Sequence, residues 1–484
     1  MAHVEFLDET IRDGQQSLWG MQMRPGMALP MASNLDRTGF RVIDLAGSSM
    51  FEVQIRVNRE DPWEALDLLT EAMPNTPIRG GMRSNASVTF GVTPDSLMDM
   101  WMRQLNVHGC RSFWIYDVLF NIDKMHRLAK VAKEFGSEVA GSIMFTSSPF
   151  HTDEYYADKA DKLSVCPDID TLLLYDTAGV LDKERMQTLV PAIKANARGK
   201  PIEFHSNNIL GMSAKAYCDA IDLGVNILHT ASRPMANGPS VPSTEIMTRN
   251  VELLGHTHDL DTSLLPPVAD HFEKVGHAAG FLVNQHHEYD VLSAKHQIPG
   301  GMIGTLRAQM AKHNLSDRMD DVLMETAKVR AELGYPGMAT PFSQLVGIQA
   351  VLNLVSGERY KIVPDEVIQY AAGFYGETVA PIEENILDRI MSSPRAKKVA
   401  SQPPEQKTDE DLYAEYGTRD PDELILRALM PEADLKKMRE NGPVARDYPL
   451  LSSPELAQVG RLMKIAKAPL VQIESHNLSV TLRK

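Results

Sequence analysis

Short apolar runs that end in ionisable side chains recur up to about residue 285, at intervals of roughly 30 residues. Val4-Glu5-Phe6-Leu7 ends at Asp8, Arg41–Leu45 carries Asp44, and Ser112–Tyr116 runs into Asp117. Thr171–Tyr175 runs into Asp176 and Pro201–Phe204 into His205, while Glu138–Phe145 and Val225–His229 complete the series. Each run has the length of a buried strand, and a helix-sized segment such as Pro25–Thr38 separates it from the next. Strands apolar on both faces belong in parallel sheets covered by helices. Polar residues gathered at their carboxyl ends predict an α/β fold, a closed (β/α)8 TIM barrel with its site at one rim. A doubly wound open sheet is the alternative, but no glycine-rich dinucleotide loop supports it.

Beyond residue 285 the texture changes. Segments 307–335, 341–355 and 364–375 are helical in pattern, and residues 401–421 are polar, which predicts an exposed loop or hinge. From Asp422 two further helical patterns follow, then a short strand at Leu478–Leu482. At 484 residues the chain exceeds one average domain. The expected organisation is a barrel over 1–285, a helical extension over 286–400 and a partly helical tail over 401–484.

Composition narrows the function classes. A net charge of −15 argues against a nucleic-acid footprint and an anionic membrane surface. No run of 18 apolar residues predicts a membrane span, and the first residues lack the basic and apolar regions of a signal peptide. The 3 cysteines, with no CxxC pair, suit reduced core residues of a cytoplasmic protein.

Four clusters carry chemistry. At the first strand end, Asp8 can ligate a cation, Arg12 can hold a carboxylate bidentately and Gln16 can bond a carbonyl, with Asp13 reading as a cap. Tyr175-Asp176-Thr177-Ala178-Gly179 puts a carboxylate on a tight turn, where Asp176 or Thr177 serves equally well as a helix N-cap. His205 and Asn207, two apart on an extended strand, share a side and have the spacing of a chelating pair that Asp8 would complete. The loop from Thr230 to Ser240, with Gly238 and several prolines and hydroxyls, is built to hold substrate contacts rigidly.

In this order the motifs resemble those of the carboxyltransferase domain of biotin-dependent 2-oxo-acid enzymes, pyruvate carboxylase and the oxaloacetate decarboxylase alpha subunit. The wider superfamily includes hydroxymethylglutaryl-CoA lyase. Asp8-Glu-Thr-Ile-Arg-Asp13 with Gln16-Ser17-Leu18 matches the family's opening, and Arg79-Gly80 matches the end of its third strand. His296-Gln-Ile-Pro-Gly-Gly-Met302, Val329-Arg-Ala-Glu-Leu-Gly-Tyr-Pro336 and Thr340-Pro-Phe-Ser-Gln344 are close to signatures of this branch.

The resemblance implies a barrel with a helical extension and a homo-oligomer. It also implies an enzyme that moves a carboxyl group between carboxybiotin and an enolisable substrate. By it, Arg12, Gln16, Arg79, Tyr175 and Asp176 are catalytic, Gly238 and Ser240 bind substrate, and Asp8, His205 and Asn207 ligate a divalent metal (Mn, Mg or Zn). Asp176 and His229 are further donors should a tightly held ion need them.

The departures are equally specific. Tyr175 stands where the family carries a lysine carbamylated on its amine, and Asn207 where a second histidine belongs. Pro239 replaces a threonine that shuttles a proton, and Gln15 replaces a histidine. No Ala-Met-Lys-Met peptide is present, and Met463-Lys464-Ile465 reads as ordinary helix. Biotin is therefore expected in trans, on a carrier polypeptide served by a biotin carboxylase subunit. The alternatives are a biotin-independent lyase or decarboxylase on the same barrel, and a non-catalytic subunit of a carboxylase complex.

Overall fold

The computed structural model describes the chain except residues 87–90, 301, 304–305, 307–309, 311–315, 450–469, 476–477 and 484. Eight parallel strands close in chain order. They are β1 (Glu5–Asp8), β2 (Val42–Gly47), β3 (Ile78–Arg83) and β4 (Cys110–Tyr116), then β5 (Glu138–Met144), β6 (Thr171–Asp176), β7 (Ile202–Ser206) and β8 (Ile227–Thr230). β1 pairs with β2 and β8, setting Asp8 beside Ile43 and Thr230, so the sheet has no free edge.

All but one of these strands coincide with an apolar run of the sequence. The exception, β3, reads Ile-Arg-Gly-Gly-Met-Arg. Its inward positions are Arg79, Gly81 and Arg83, so no apolar alternation marks it.

Helices cover the outside. Ile122–Lys133 is representative: it buries Met125, Leu128, Ala129, Val131 and Ala132 on one face, and Asn121 caps it by accepting from the Lys124 backbone N–H. Each such leucine contributes about 1.5–3 kcal/mol by leaving water, and loss of the cap in Asn121→Ala would cost about 1 kcal/mol.

The barrel interior departs from the usual layers of Val, Ile and Leu. Leu7, Val42 and Ile227 form a small apolar cluster near the amino ends. Beside it lies a layer of charges. Arg79 donates to both carboxylate oxygens of Glu203 at 2.6 and 3.2 Å and to Ser112 Oγ at 2.8 Å. Thr171 Oγ1 donates to Glu203 at 2.6 Å. Arg79 and Glu203 are fully buried. A buried layer of this kind holds only because each charge has a partner.

The extension roofs the carboxyl rim with the helices Val291–His296, Met319–Glu332 and Phe342–Ser356. Gln297 accepts from Thr146 Oγ1 at 2.8 Å, Arg330 donates to the same hydroxyl at 2.9 Å, and Thr177 donates to the Met338 carbonyl at 3.3 Å. These bonds tie the extension to the turns after β5 and β6. The helical pattern at 307–335 is met from Met319 to Glu332, and its first residues lie partly outside the described ones.

Residues 401–421 are not a simple loop. Asp409–Tyr416 is a helix with a capping box between Thr408 and Asp411 and three acidic residues in its first turn, which oppose the helix dipole. Polarity alone hid it. The chain ends in an antiparallel pair, Leu470–Ser475 with Leu478–Arg483. Met463-Lys464-Ile465 lies outside the described residues. Among those, no helix is long and apolar enough to cross a membrane.

The tail is pinned to the barrel by a histidine. His108 lies between Asp67 (2.7 Å) and Asp422 (3.1 Å) and stacks on Trp63 with ring centroids 4.6 Å apart. Burial opposes its charge, but Asp422 and Asp67 outweigh burial and raise its pKa. A histidine raised in the folded state stabilises fully below its unfolded value of about 6.5 and loses that contribution as pH climbs past the folded value. The gap in urea midpoint between wild type and His108→Gln should therefore be wide at pH 6 and narrow at pH 9. A gap that widens with pH would contradict this pinning.

Candidate active site

Two consecutive acidic positions at the end of β1, Asp8 and Glu9, have different fates because a strand alternates its faces. Phe6 points outward, packing edge-on to His258 at 5.8 Å, and Asp8 shares that side. Its carboxylate accepts from the Thr10 N–H at 3.1 Å and the Thr10 hydroxyl at 2.7 Å, and burial pushes its pKa up to about 7. Asp8 is thus not brought to His205 and Asn207, which corrects the ligand set expected from sequence. Glu9 points inward, and a short π-helical turn, Thr10–Gly14, brings Arg12 and Asp13 over the barrel mouth.

Arg12 is the centre of the arrangement. Its Nε donates to Glu9 at 3.0 Å and Asp44 at 3.2 Å, its Nη2 lies 3.5 Å from the Tyr175 hydroxyl, and its Nη1 lies 3.9 Å from Asp13. The guanidinium sits 5.0 Å from the Trp114 ring centre. Burial works against its charge, but Glu9, Tyr175, Asp44 and Asp13 hold its pKa well above the usual value. Burial, then Glu9, pushes Asp44 up to about 7. Trp114 Nε1 donates to Asp44 at 2.8 Å.

Asp13 takes the place expected for Asp8. Its Oδ1 lies 3.8 Å from His205 Nε2, and its Oδ2 accepts from Asn207 Nδ2 at 3.1 Å and Ser240 Oγ at 2.8 Å. Asn207 Nδ2 also donates to the Pro239 carbonyl at 3.1 Å. Two acceptors fix that amide with its N–H groups inward, so Asn207 offers donors there and no lone pair for a metal. Tyr175 is buried, and burial raises its phenol. Its hydroxyl keeps its proton beside Arg12.

A different group does converge. Glu9 Oε1 lies 2.7 Å from His229 Nδ1 and 3.4 Å from His205 Nδ1, and the two imidazole nitrogens are 3.2 Å apart. All three residues are buried. Two of these separations, 3.4 and 3.2 Å, match the edges of about 3.3 Å of a tetrahedron with bonds of about 2.0 Å, the third is a hydrogen bond, and two imidazoles with a carboxylate suit a divalent metal. His229 Nε2 meets Glu203 at 3.0 Å, the carboxylate–histidine support common behind metal ligands. These residues therefore fit a divalent ion better than Asp8, His205 and Asn207 do. Burial opposes the charge of Glu9, but Arg12, His205 and His229 hold its pKa well below the usual range. Burial lowers His205, whereas Glu203 and Glu9 overcome burial and raise His229.

Beside this cluster is a cavity of about 320 Å³ walled by Arg12, Asp13, Gln16, Trp114, Tyr116, Tyr175, Asn207 and Pro239, with Thr340 and Gln344 from the extension. Of the residues expected from sequence, Arg12, Gln16, Tyr175 and Asn207 border it. Arg79 does not, being locked to Glu203 in the charged layer below. Asp176 is consumed by its turn, accepting from the backbone N–H of Val180 at 3.2 Å and Leu181 at 2.9 Å and from Ser206 Oγ at 3.1 Å. Gly238 supplies a positive φ of 54°, and Ser240 steadies Asp13 without lining the cavity.

Sequence reasoning marked Asp44 only as a strand-end carboxylate and missed Glu9, Asp13, Trp114 and Tyr116 as site residues. Counting strand parity from Phe6 would have exchanged Asp8 for Glu9. His229, held as a reserve donor, joins the cluster.

Comparison with known proteins adds four findings. Residues 294–475 match the family described as conserved carboxylase domain. The chain is 32% identical over 485 residues to a pyruvate carboxylase subunit of Methanocaldococcus jannaschii, covering 99% of this chain and 84% of the relative. It is 28% identical over 438 residues to the methylmalonyl-CoA carboxyltransferase 5S subunit of Propionibacterium freudenreichii, covering 89% and 86%. The carboxyl transferase domain of Rhizobium etli pyruvate carboxylase superposes with a TM-score of 0.83 at 20% identity, covering 99% of this chain and 84% of that one, a likeness of fold.

Proposed function

The chain belongs to the family of biotin-dependent carboxyltransferases that includes this archaeal pyruvate carboxylase subunit, and on that premise we propose that it is the carboxyltransferase component of a multi-subunit carboxylase. It moves a carboxyl group between carboxybiotin, carried on a separate polypeptide, and an enolisable 2-oxo acid. The observation that carries the reading is Arg12, whose Nη atoms face a walled cavity while Nε is clamped by Glu9 and Asp44.

The reaction needs an enolate. As a base takes the proton beside the substrate carbonyl, the C–H electron pair becomes the enolate double bond and charge collects on oxygen. Arg12 N–H is aimed to donate to that oxygen, and Gln16 to orient the carbonyl. The carboxyl group would leave the ureido nitrogen as carbon dioxide, the C–N electron pair staying with the ureido group, which takes up a proton, and the enolate carbon would attack that carbon to form the new C–C bond.

Pro239 has no proton to exchange. We assign to the Tyr175 hydroxyl the passage of a proton between substrate and the ureido group, since the hydroxyl sits on the cavity wall within reach of Arg12. A divalent metal held by Glu9, His205 and His229 would add positive charge behind this oxyanion site. Asp13, steadied by Ser240 and Asn207, sets its carboxylate 3.8 Å from His205 Nε2.

The same reading takes 1–285 as the catalytic barrel, 286–400 as its extension and 401–484 as the tail. It places a homo-oligomer in the cytoplasm beside a biotin carrier and a biotin carboxylase.

The test is transfer of ¹³C-carboxyl from a carboxylated biotinyl carrier to 2-oxo acids, read by mass spectrometry. Carrier-dependent labelling, reduced about 10²-fold in Tyr175→Phe, is expected. Pro239 in place of the shuttle favours one other reading, a biotin-independent lyase. Cleavage of a carboxylated 2-oxo acid at the same rate with and without carrier would establish that instead.

A further inference from the structure

Arg83 ends β3 on the inner face, 3% exposed and level with Tyr116 of β4. Its Nη2 donates to Ser48 Oγ at 3.1 Å, and its Nη1 is buried with no hydrogen-bond partner. Arg12 and Arg79 each have carboxylates against them, Glu9 and Asp44 for one and Glu203 for the other. Among the described residues no carboxylate pairs with Arg83. Arg330, another buried arginine without a carboxylate, is satisfied by the carbonyls of Pro336 and Ser147. Arg83 has one hydroxyl. A buried guanidinium so poorly satisfied is costly unless an anion reaches it.

Both neighbours of Arg83, Ser48 and Tyr116, line the same cavity as Arg12 and Gln16. Trp114 and Tyr116, two residues apart on β4, stack with centroids 4.9 Å apart and planes 16° from parallel. Gly81 makes this stack feasible, because a Cβ there would stand 2.5 Å from the Trp114 ring. The ladder runs from Arg12, over Trp114, to Arg83, level with Tyr116. Two strand residues advance roughly 6–7 Å. An aromatic wall of that length gives a short carbon chain between two carboxylates a surface to lie along.

We propose that Arg83, with Ser48, binds a second carboxylate of the acceptor, so that the substrate class is dicarboxylic 2-oxo acids and not monocarboxylic ones. The proposal rests on the carboxyltransferase reading and names the acceptor of that same cavity. Arg12 and Gln16 take the 2-oxo-acid end, where the enolate forms, and Arg83 takes the remote carboxylate. Burial in a cavity with apolar walls strengthens that charge-assisted pair and lets it discriminate strongly against a substrate lacking the charge.

The test compares 2-oxoglutarate with 2-oxopentanoate, which has the same chain and no second carboxylate, by calorimetric titration of the full chain. Wild type should bind 2-oxoglutarate at least about tenfold more tightly, a modest expectation for one charge-assisted bond. Arg83→Gln should abolish that preference while leaving 2-oxopentanoate affinity unchanged, and Arg83→Lys should restore part of it. The unliganded Tm of Arg83→Gln should equal or exceed that of wild type, because a buried unpaired charge has been removed. Equal affinities in wild type would overturn the proposal and leave the carboxyltransferase reading standing. So would a lowered Tm in Arg83→Gln with the preference intact. Binding of neither acid would overturn both. Should Arg83→Gln not fold, Ser48→Ala carries the test, with a reduced preference expected and an unchanged one counting against the subsite.

Discussion

Arg12→Ala is expected to lower kcat/KM by about 10³, the upper end of what one oxyanion donor supplies. The guanidinium is held rigidly from behind by Glu9 and Asp44, so its Nη donors need no reorganisation when charge appears on the substrate oxygen. Removing it deletes a charge-assisted donor from a water-poor cavity and also leaves two carboxylates buried beside each other. The variant should therefore lose stability as well, and activity is to be compared at a temperature where circular dichroism shows it folded. Arg12→Lys separates the two effects. It keeps the positive charge near Glu9, so its Tm should recover, but an ammonium cannot serve Glu9, Asp44 and the cavity at once, so activity should stay low. Gln16→Ala should lower kcat/KM in the same assay. Folded Arg12 variants with kcat/KM within threefold of wild type would remove this rim from the site.

Arg79→Met should destabilise the fold by about 3–5 kcal/mol, the usual cost of leaving one member of a buried ion pair alone. Glu203 is fully buried, and among the described residues only Arg79, His229 and Thr171 meet its oxygens. Burial alone would raise its carboxyl, but Arg79 and His229 hold it well below the usual range, so the anion persists at neutral pH. Glu203→Leu should be costly too, because it leaves Arg79 only Ser112 and the more distant Glu138, 3.6 Å away. The double variant should recover part of the loss, since removing both charges ends the unpaired burial even though Ser112, Thr171 and His229 lose partners. Urea unfolding of the four proteins measures this cycle. A single Arg79→Met loss below about 1 kcal/mol would show that the layer is solvated and not a dry ion pair.

How far the site could be read in advance depended on distance along the chain. Asp44, Asp117, Asp176 and His205 were visible because each ends an apolar run, and Arg12 and Gln16 because they follow the first. Whether such a residue faces the cavity is a matter of one step of strand parity and of the turn that follows. Asp8, Glu9 and Asp13 differ in chemistry by almost nothing, yet one caps Thr10, one joins two histidines and one steadies Asn207. The carboxylate of Asp176 illustrates the same limit, its strand-end position having served a turn and not a substrate.

The linear pattern by itself determined the class of fold, since alternating strand-like and helix-like segments leave few ways to bury apolar strands except a helix-covered parallel barrel. It also determined the family, through motifs in the first turn and the extension. Only the tertiary structure decided which groups meet. Glu9, His205 and His229 come from β1 or its end, β7 and β8 and have no common local spacing, because closure of the barrel is what makes β1 and β8 neighbours. β3 carried no apolar run, and only the Arg79-Gly80 match marked it, for the same reason that matters most to the cavity. Its inner face gives Arg79 to Glu203, room at Gly81 for Trp114, and Arg83 to a place where no carboxylate of the described chain awaits it. A sequence records that these side chains are charged or small; which partner neutralises each charge is fixed by three-dimensional packing.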